Sequence, residues 1–218
     1  MLRAFADCRF VVVDVETTGT SPHAGDRVTE VAAVVLEDGR IEDAFQSLVN
    51  PGRRIPAFIT GLTGISNAMV ADAPSFRDIA GAFAQILEAR TFVAHNAPFD
   101  WGFLAMEFVR ADLPDALAGA PLCTVRLARR LLSHLPRRNL DSVAWHYGID
   151  IESRHRALGD ARATAQVLRG LLHDAERQHG IDSFAALQAW LATRSGATRK
   201  RRSALPRPVD DRGLGPGA

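Results

Sequence analysis

Arg9-Phe10-Val11-Val12-Val13-Asp14-Val15, continued by Glu16-Thr17-Thr18-Gly19, is the stretch from which the rest of the chain is best read. Three successive valines beside a phenylalanine favour an extended strand, because β-branched side chains pack well on a pleated surface. A strand is therefore expected over residues 9–15, bounded by Thr17-Thr18-Gly19. Side chains alternate along a strand, so Asp14 and Glu16 leave the same face, about 6–7 Å apart along the backbone. Two carboxylates on one sheet face are costly to bury unless a cation or a basic group neutralises them. A solvated strand end or an ion pair accounts for this pair as well as a metal site does.

Working outward, residues 27–36 form a second valine-rich run, and Glu37-Asp38-Gly39-Arg40 supplies an Asp-Gly hairpin turn. Residues 41–49 return as a third strand, so the chain opens antiparallel. A loop is expected over 52–74. Ser75 then caps a helix in which Phe76, Ile79, Phe83, Ile86 and Leu87 recur at helical spacing. A brief strand over 91–94 precedes a helix over 98–110. Further helices are expected over 122–132, 141–147, 158–178 and 182–192. Strands first, then strand–helix alternation, then helices define an α/β domain, a mixed central β-sheet flanked by α-helices.

The chain has 218 residues, enough for one domain and a tail. Residues 1–193 form the domain. Residues 194–218 are rich in Gly, Pro, Ser, Arg and Asp and lack an apolar period, so a basic, disordered tail is expected there. A composition of 47% hydrophobic and 23% charged residues excludes disorder or a coiled coil over most of the length. Cys8 and Cys123 stand alone, with no CxxC pair, which argues against a structural zinc site or a disulfide framework. The first residues lack the apolar segment of a signal peptide, and the apolar runs fall short of the roughly 18 residues a membrane span needs. The expectation is a cytoplasmic protein with no membrane partner.

Two more acidic clusters join the first. In His95-Asn96-Ala97-Pro98-Phe99-Asp100, Asp100 falls in the first turn of a helix, where the macrodipole alone would favour an acid. In His155-Arg156-Ala157-Leu158-Gly159-Asp160, a spacing of five places the two end residues about 140° apart on an ideal helix. They converge only if His155 lies on a loop and Asp160 on the helix that follows. Each cluster alone is explained by capping or by a surface position. Taken together, Asp14, Glu16, Asp100 and Asp160 come from distant parts of the chain and offer only oxygen, which suits Mg2+ or Mn2+ rather than zinc. Two such divalent cations about 4 Å apart are a general device for phosphodiester hydrolysis.

At these residues the chain resembles a known family. Asp-Val-Glu-Thr-Thr-Gly, His-Asn-Ala-Pro-Phe-Asp and His-Arg-Ala-Leu-Gly-Asp are similar, in order, to the three motifs of the DEDD 3′–5′ exonucleases. The histidine five before the last Asp points to the DEDDh branch, since the tyrosine branch would carry Tyr at position 156, which is Arg here. The likeness is greatest to DnaQ-like exonucleases, the family of the proofreading epsilon subunit of bacterial DNA polymerase III. It spans roughly residues 7–175 and includes the loop Ile59-Thr60-Gly61-Leu62-Thr63-Gly64-Ile65. The resemblance implies an RNase H-like fold, with Asp14, Glu16, Asp100 and Asp160 as ligands of two divalent cations and His155 as the general base that takes a proton from the attacking water. A nucleoside 5′-monophosphate would depart. Thr17 and Thr18 would meet the terminal nucleotide through main chain or hydroxyl, and His95, Asn96 and Phe99 could line the same cleft, although Phe99 serves equally well as helix core.

The substrate expected is a single-stranded or frayed DNA 3′ end, with RNA 3′-end trimming or oligoribonucleotide degradation as the alternative. A third reading is an interaction subunit bound to a DNA polymerase. Arg53, Arg54, Arg126, Arg129, Arg130, Arg137 and Arg138 are candidate phosphate contacts or plain surface charge. The net charge of +1 at first argues against nucleic acid, but it sums two unlike parts: residues 194–218 carry +5 and residues 1–193 carry −4. Two bound cations would bring the folded part close to neutral. The basic tail would then add a salt-sensitive attraction to phosphates.

Overall fold

The valine run forms the middle strand of a sheet and is itself buried on both faces. The computed structural model describes residues 3–5 and 7–193. Strands β1 (Phe10–Thr17), β2 (Val28–Glu37), β3 (Arg40–Leu48), β4 (Thr91–Ala94) and β5 (Leu122–Cys123) are arranged in the order β3-β2-β1-β4-β5. The pairs β1–β2 and β2–β3 are antiparallel, whereas β1–β4 and β4–β5 are parallel. The helices are α1 (Ala57–Thr63), α2 (Asn67–Val70), α3 (Phe76–Leu87), α4 (Ala97–Arg110), α5 (Thr124–Leu131), α6 (Leu140–His146), α7 (Ala157–His179) and α8 (Phe184–Ala192).

Alternation along β1 divides the core in two. Phe10 and Val12 face α5, α6 and α7, while Val11, Val13 and Val15 face α3 and α4. An apolar run without polar alternation is what a strand covered on both faces requires. Asp14 and Glu16 continue the face that carries Phe10 and Val12, so they emerge beside the start of α7. The register breaks between Glu16 and Thr17, a bulge that re-aims the strand end where its carboxylates project. Between β2 and β3, Asp38 (φ 50°) and Gly39 (φ 71°) take the left-handed conformations that an Asp-Gly hairpin turn needs.

Two expectations are corrected. Residues 122–123 are a short strand rather than the start of a helix, because Leu122 and Cys123 pair in parallel with Val93 and Ala94 before α5 begins. The region 52–74 is not plain loop. It holds α1 and α2, which bury Ile55, Ile59, Ile65 and Val70 in a small core of their own. The basic tail expected over 194–218 lies outside the described residues. Among the described residues, no helix is long and apolar enough to cross a membrane.

Candidate active site

The parallel strands β1 and β4 both end at the same edge of the sheet, and the chemistry gathers there. Carboxylate oxygens of Asp14, Glu16 and Asp160 lie within 4.8 Å of one another. Asp100, in the first turn of α4, joins them from the other side of β1: its Oδ1 accepts a hydrogen bond from the Val15 N–H at 3.2 Å. Asn96 makes the turn from β4 into α4 with φ 77°, a left-handed conformation that Asn tolerates better than most residues. Asp160 is on the first turn of α7, as the spacing from His155 requires, and is almost wholly buried.

His155 sits on the loop before α7 with φ 62°. A left-handed histidine is strained by an amount of order 1–3 kcal/mol, so the surroundings must hold it. They do so at several points. The His155 N–H donates to Asp160 Oδ2 at 3.2 Å, and Gly159 lets the carbonyls of Glu152 and Ser153 lie against the helix where a Cβ would collide with them. Glu30 of β2 completes the anchor. It accepts from Arg156 Nε at 3.0 Å, from the second Arg156 terminal nitrogen at 2.7 Å, from the Ala157 N–H at 3.0 Å and from Gln46 Nε2 at 2.7 Å. Glu30 thus caps α7 from across the sheet. Burial by itself would raise its carboxyl, but those hydrogen bonds outweigh burial and hold it below the usual range.

The acids themselves are pushed the other way. Burial, then repulsion from Asp100, Glu16 and Asp160, raises Asp14 well above the ordinary carboxylate range. Burial and neighbouring acids bring Glu16 to about 7, and burial with the charge of Glu16 brings Asp100 to about 8. Asp160 is also raised, by burial working against the pull of Arg154 and His155. Its Oδ1 is buried with no hydrogen-bond partner. A buried lone carboxylate oxygen, surrounded by further acids with oxygen as the only donor, fits a hard divalent cation.

These shifts fix the sign of a pH dependence. In the unfolded chain such acids titrate near 4, so between about pH 4 and 8 the folded protein holds protons that the unfolded chain has released. The resulting stability is complete below about pH 4 and is lost as pH rises through 7 and 8. In EDTA, the melting temperature is expected to fall between pH 6 and 8.5, and added Mg2+ or Mn2+ should restore it most at the alkaline end. Scanning fluorimetry across that range checks this; a flat profile in EDTA would count against it.

The residues expected to meet substrate are placed as follows. Thr17 and Thr18 are buried at the strand end; their hydroxyls are engaged by Gly19 O at 2.6 Å and by Asp26 Oδ1 at 3.3 Å, and the Thr18 N–H donates to Arg27 O at 2.8 Å. His95 has both ring nitrogens occupied, Nδ1 with Thr124 Oγ1 at 2.8 Å and Nε2 with Arg138 O at 2.9 Å. Burial lowers its pKa to about 4, so it stands as a neutral brace between β4, α5 and the segment before α6. Asn96 is exposed, and Phe99 is half-buried against Phe103 with ring centroids 4.9 Å apart. Of the candidate arginines, Arg53 holds Gly25 O, Arg130 lies over Trp190 and Arg138 binds the Leu132 and Ser133 carbonyls. Arg54, Arg126, Arg129 and Arg137 are exposed. A cavity of about 660 Å³ near Thr91, Trp101 and Gln188 lies at the opposite end of β4 and contains none of the four acids.

Sequence reasoning overlooked Glu30, Arg154 and Asp141. Glu30 did carry a signal: an acid inside the apolar run Val28–Leu36 must find a partner if the strand is buried. Arg154 and Asp141 had none, because only the fold brings α6 beside the loop that carries His155.

A mixed sheet in this strand order, with acids at the end of β1 and at the first turns of α4 and α7, is an RNase H-like fold. The chain belongs to the Exonuclease family (RNase_T), whose model matches residues 11–168. It is 41% identical over 166 residues to the 3′–5′ exonuclease DinG of Bacillus subtilis, covering 75% of this chain and 18% of that protein. It is 40% identical over 187 residues to a DNA polymerase III subunit epsilon-like protein of Rhodobacter capsulatus, covering 82% of this chain and 25% of the relative. The chain thus spans a quarter or less of the length of these two relatives. Among solved structures, Exonuclease X in complex with 5′ overhanging duplex DNA matches with a TM-score of 0.61 and 28% identity, over 78% of this chain and 93% of that one. The nuclease domain of 3′hExo bound to rAMP, a DEDDh family member, shares the fold with a TM-score of 0.64 at 22% identity, over 76% and 92% of the two chains.

Proposed function

We propose that this chain is a metal-dependent 3′–5′ exonuclease that releases nucleoside 5′-monophosphates from single-stranded or frayed DNA 3′ ends, in proofreading or repair in the cytoplasm. The observation that carries the reading is the meeting of Asp14, Glu16 and Asp160 within 4.8 Å, beside a histidine held on the loop that precedes Asp160. Asp14, Glu16, Asp100 and Asp160 would hold two divalent cations, Mg2+ or Mn2+, which when bound supply Lewis acidity to the phosphoryl oxygens and to the attacking and leaving oxygens. His155 accepts the proton of the attacking water. Thr17 and Thr18, at the end of β1, meet the terminal nucleotide, and Asn96 and Phe99 border its path. His95 acts indirectly, by bracing the end of β4. The exposed arginines Arg54, Arg126, Arg129 and Arg137 contribute phosphate attraction. The domain carrying this activity spans residues 1–193, with the basic segment 194–218 adding salt-sensitive affinity.

DNA is favoured over RNA because the 28%-identical Exonuclease X is described with duplex DNA. Association with a DNA polymerase is the natural setting, since relatives about 40% identical include PolC-type DNA polymerase III. The test is digestion of 3′-labelled single-stranded, mismatched and paired DNA and of matched RNA, with Mg2+, Mn2+ or EDTA. Mononucleotides should leave from the 3′ end only with metal, and more slowly from RNA. His155→Ala should lower turnover by about 10²–10⁴-fold, the usual contribution of a general base, without weakening Mn2+ binding. Internal cleavage, or full activity in EDTA, would sink the proposal.

A further inference from the structure

The guanidinium of Arg154 lies inside the acid cluster, and nothing in the reaction so far uses it. Its Nε donates to Asp141 Oδ1 at 2.7 Å and one terminal nitrogen reaches Asp141 Oδ2 at 3.3 Å, a two-point hold from α6. The other terminal nitrogen donates to Asp160 Oδ2 and stands 3.5 Å from His155 Nδ1. The two carboxylates differ in kind: the Asp141 side chain is 55% exposed, that of Asp160 only 4%. Arg154 therefore bridges a wet carboxylate and a dry one, and its charge is felt by Asp14 and Glu16 as well as by Asp160.

We propose that Arg154 is a resident counter-cation of the acid cluster, which a divalent cation must displace from Asp160 in order to bind. The inference rests on the reading of Asp14, Glu16, Asp100 and Asp160 as cation ligands. A buried carboxylate among other acids needs a positive neighbour, and the guanidinium provides one from within the chain. Asp141 gives the displaced group somewhere to stay, since the two-point hold on α6 survives when the single bond to Asp160 is released. A purely structural task is already covered by other bonds. The loop is held by the His155 N–H on Asp160, by the Arg156 N–H on Ser153 O at 3.0 Å and by Arg156 and Ala157 on Glu30. Arg154 adds positive charge in the place where a cation would otherwise be the only compensation, so it sets the threshold of metal that loads the site.

The test is Mn2+ affinity, read as free Mn2+ by electron paramagnetic resonance on the full chain, for the wild type, Arg154→Gln and Arg154→Lys. Removing a repelling charge should tighten the Arg154→Gln dissociation constant by about tenfold or more, as couplings between close charges allow. Arg154→Lys, which keeps the charge but loses the fork on Asp141, should fall between the two. Should Arg154→Gln fail to fold, the wild type still answers through its arginine Nε–H NMR signals: Mg2+ should shift the resonance that Arg154→Lys lacks. Equal or weaker Mn2+ binding by folded Arg154→Gln, or a resonance unmoved at saturating Mg2+, overturns the inference and leaves the exonuclease reading standing. If neither the wild type nor Arg154→Gln binds Mn2+, the cation reading falls too.

Discussion

Asp14→Asn should lose at least about a thousandfold in metal-dependent turnover while making the metal-free protein more stable. A thousandfold is about 4 kcal/mol of barrier, within what one carboxylate contributes when it helps hold the charge that a reaction develops against. Asp14 is the centre of the cluster: it shares the strand with Glu16, meets Asp160 within 4.8 Å and feels Asp100 most strongly among its neighbours. Asn keeps the size and removes the charge. In the absence of metal, that charge is a liability, because burial and three acidic neighbours all oppose it. Function and stability therefore pull in opposite directions at this residue, as they do where a site stores unfavourable charge. Turnover of a 3′-labelled oligonucleotide and melting in EDTA, measured on the same preparation, check both halves. Unchanged turnover would remove Asp14 from the site. A loss of activity accompanied by a fall in stability would mean only that the substitution damages the fold.

The parts of this site that could be read in the sequence are those fixed by local geometry. Period-two alternation put Asp14 and Glu16 on one face, the Pro-led helix start placed Asp100 in a first turn, and the spacing of five required His155 on a loop. The β-branched apolar run over 9–15 announced a strand, though not that it would lie in the middle of the sheet. What escaped depends on tertiary neighbours. Leu122 and Cys123 have the composition of a helix start and become a strand only because β4 offers them an open edge. Ile55, Ile59, Ile65 and Val70 look like scattered apolar residues of a loop until α1 and α2 bring them together. His95 stands in a motif next to functional residues, yet both its nitrogens are committed to Thr124 and Arg138, which no spacing along the chain reveals. Arg154 likewise looks like surface charge until α6 delivers Asp141 beside it.

Glu30→Ala should cost about 2–4 kcal/mol of stability, and activity should fall with it. The Glu30 side chain is fully buried and accepts four hydrogen bonds, two of them from Arg156. Breaking a buried pair by removing one partner commonly costs about 3–5 kcal/mol, because the remaining charge keeps its desolvation and loses its compensation. Arg156 is partly in contact with water, which puts the expected loss toward the lower end of that range. For a domain of this size each kcal/mol corresponds to about 2–4 °C in melting temperature. The pair also sits where structure and chemistry join. Glu30 lies directly opposite Glu16 in the β1–β2 register, and the residue it holds immediately follows His155. Without Glu30, Arg156 is left with no carboxylate to hold and the left-handed His155 loses one of its restraints. The double variant Glu30→Met with Arg156→Leu separates these contributions, since it removes both charges and fills the space. Chemical unfolding should show the double variant regaining most of the stability lost by Glu30→Ala, while its turnover stays low because the loop is no longer tied to β2. If Glu30→Ala unfolds within about 0.5 kcal/mol of the wild type, the pair is not the anchor of α7 that its geometry indicates.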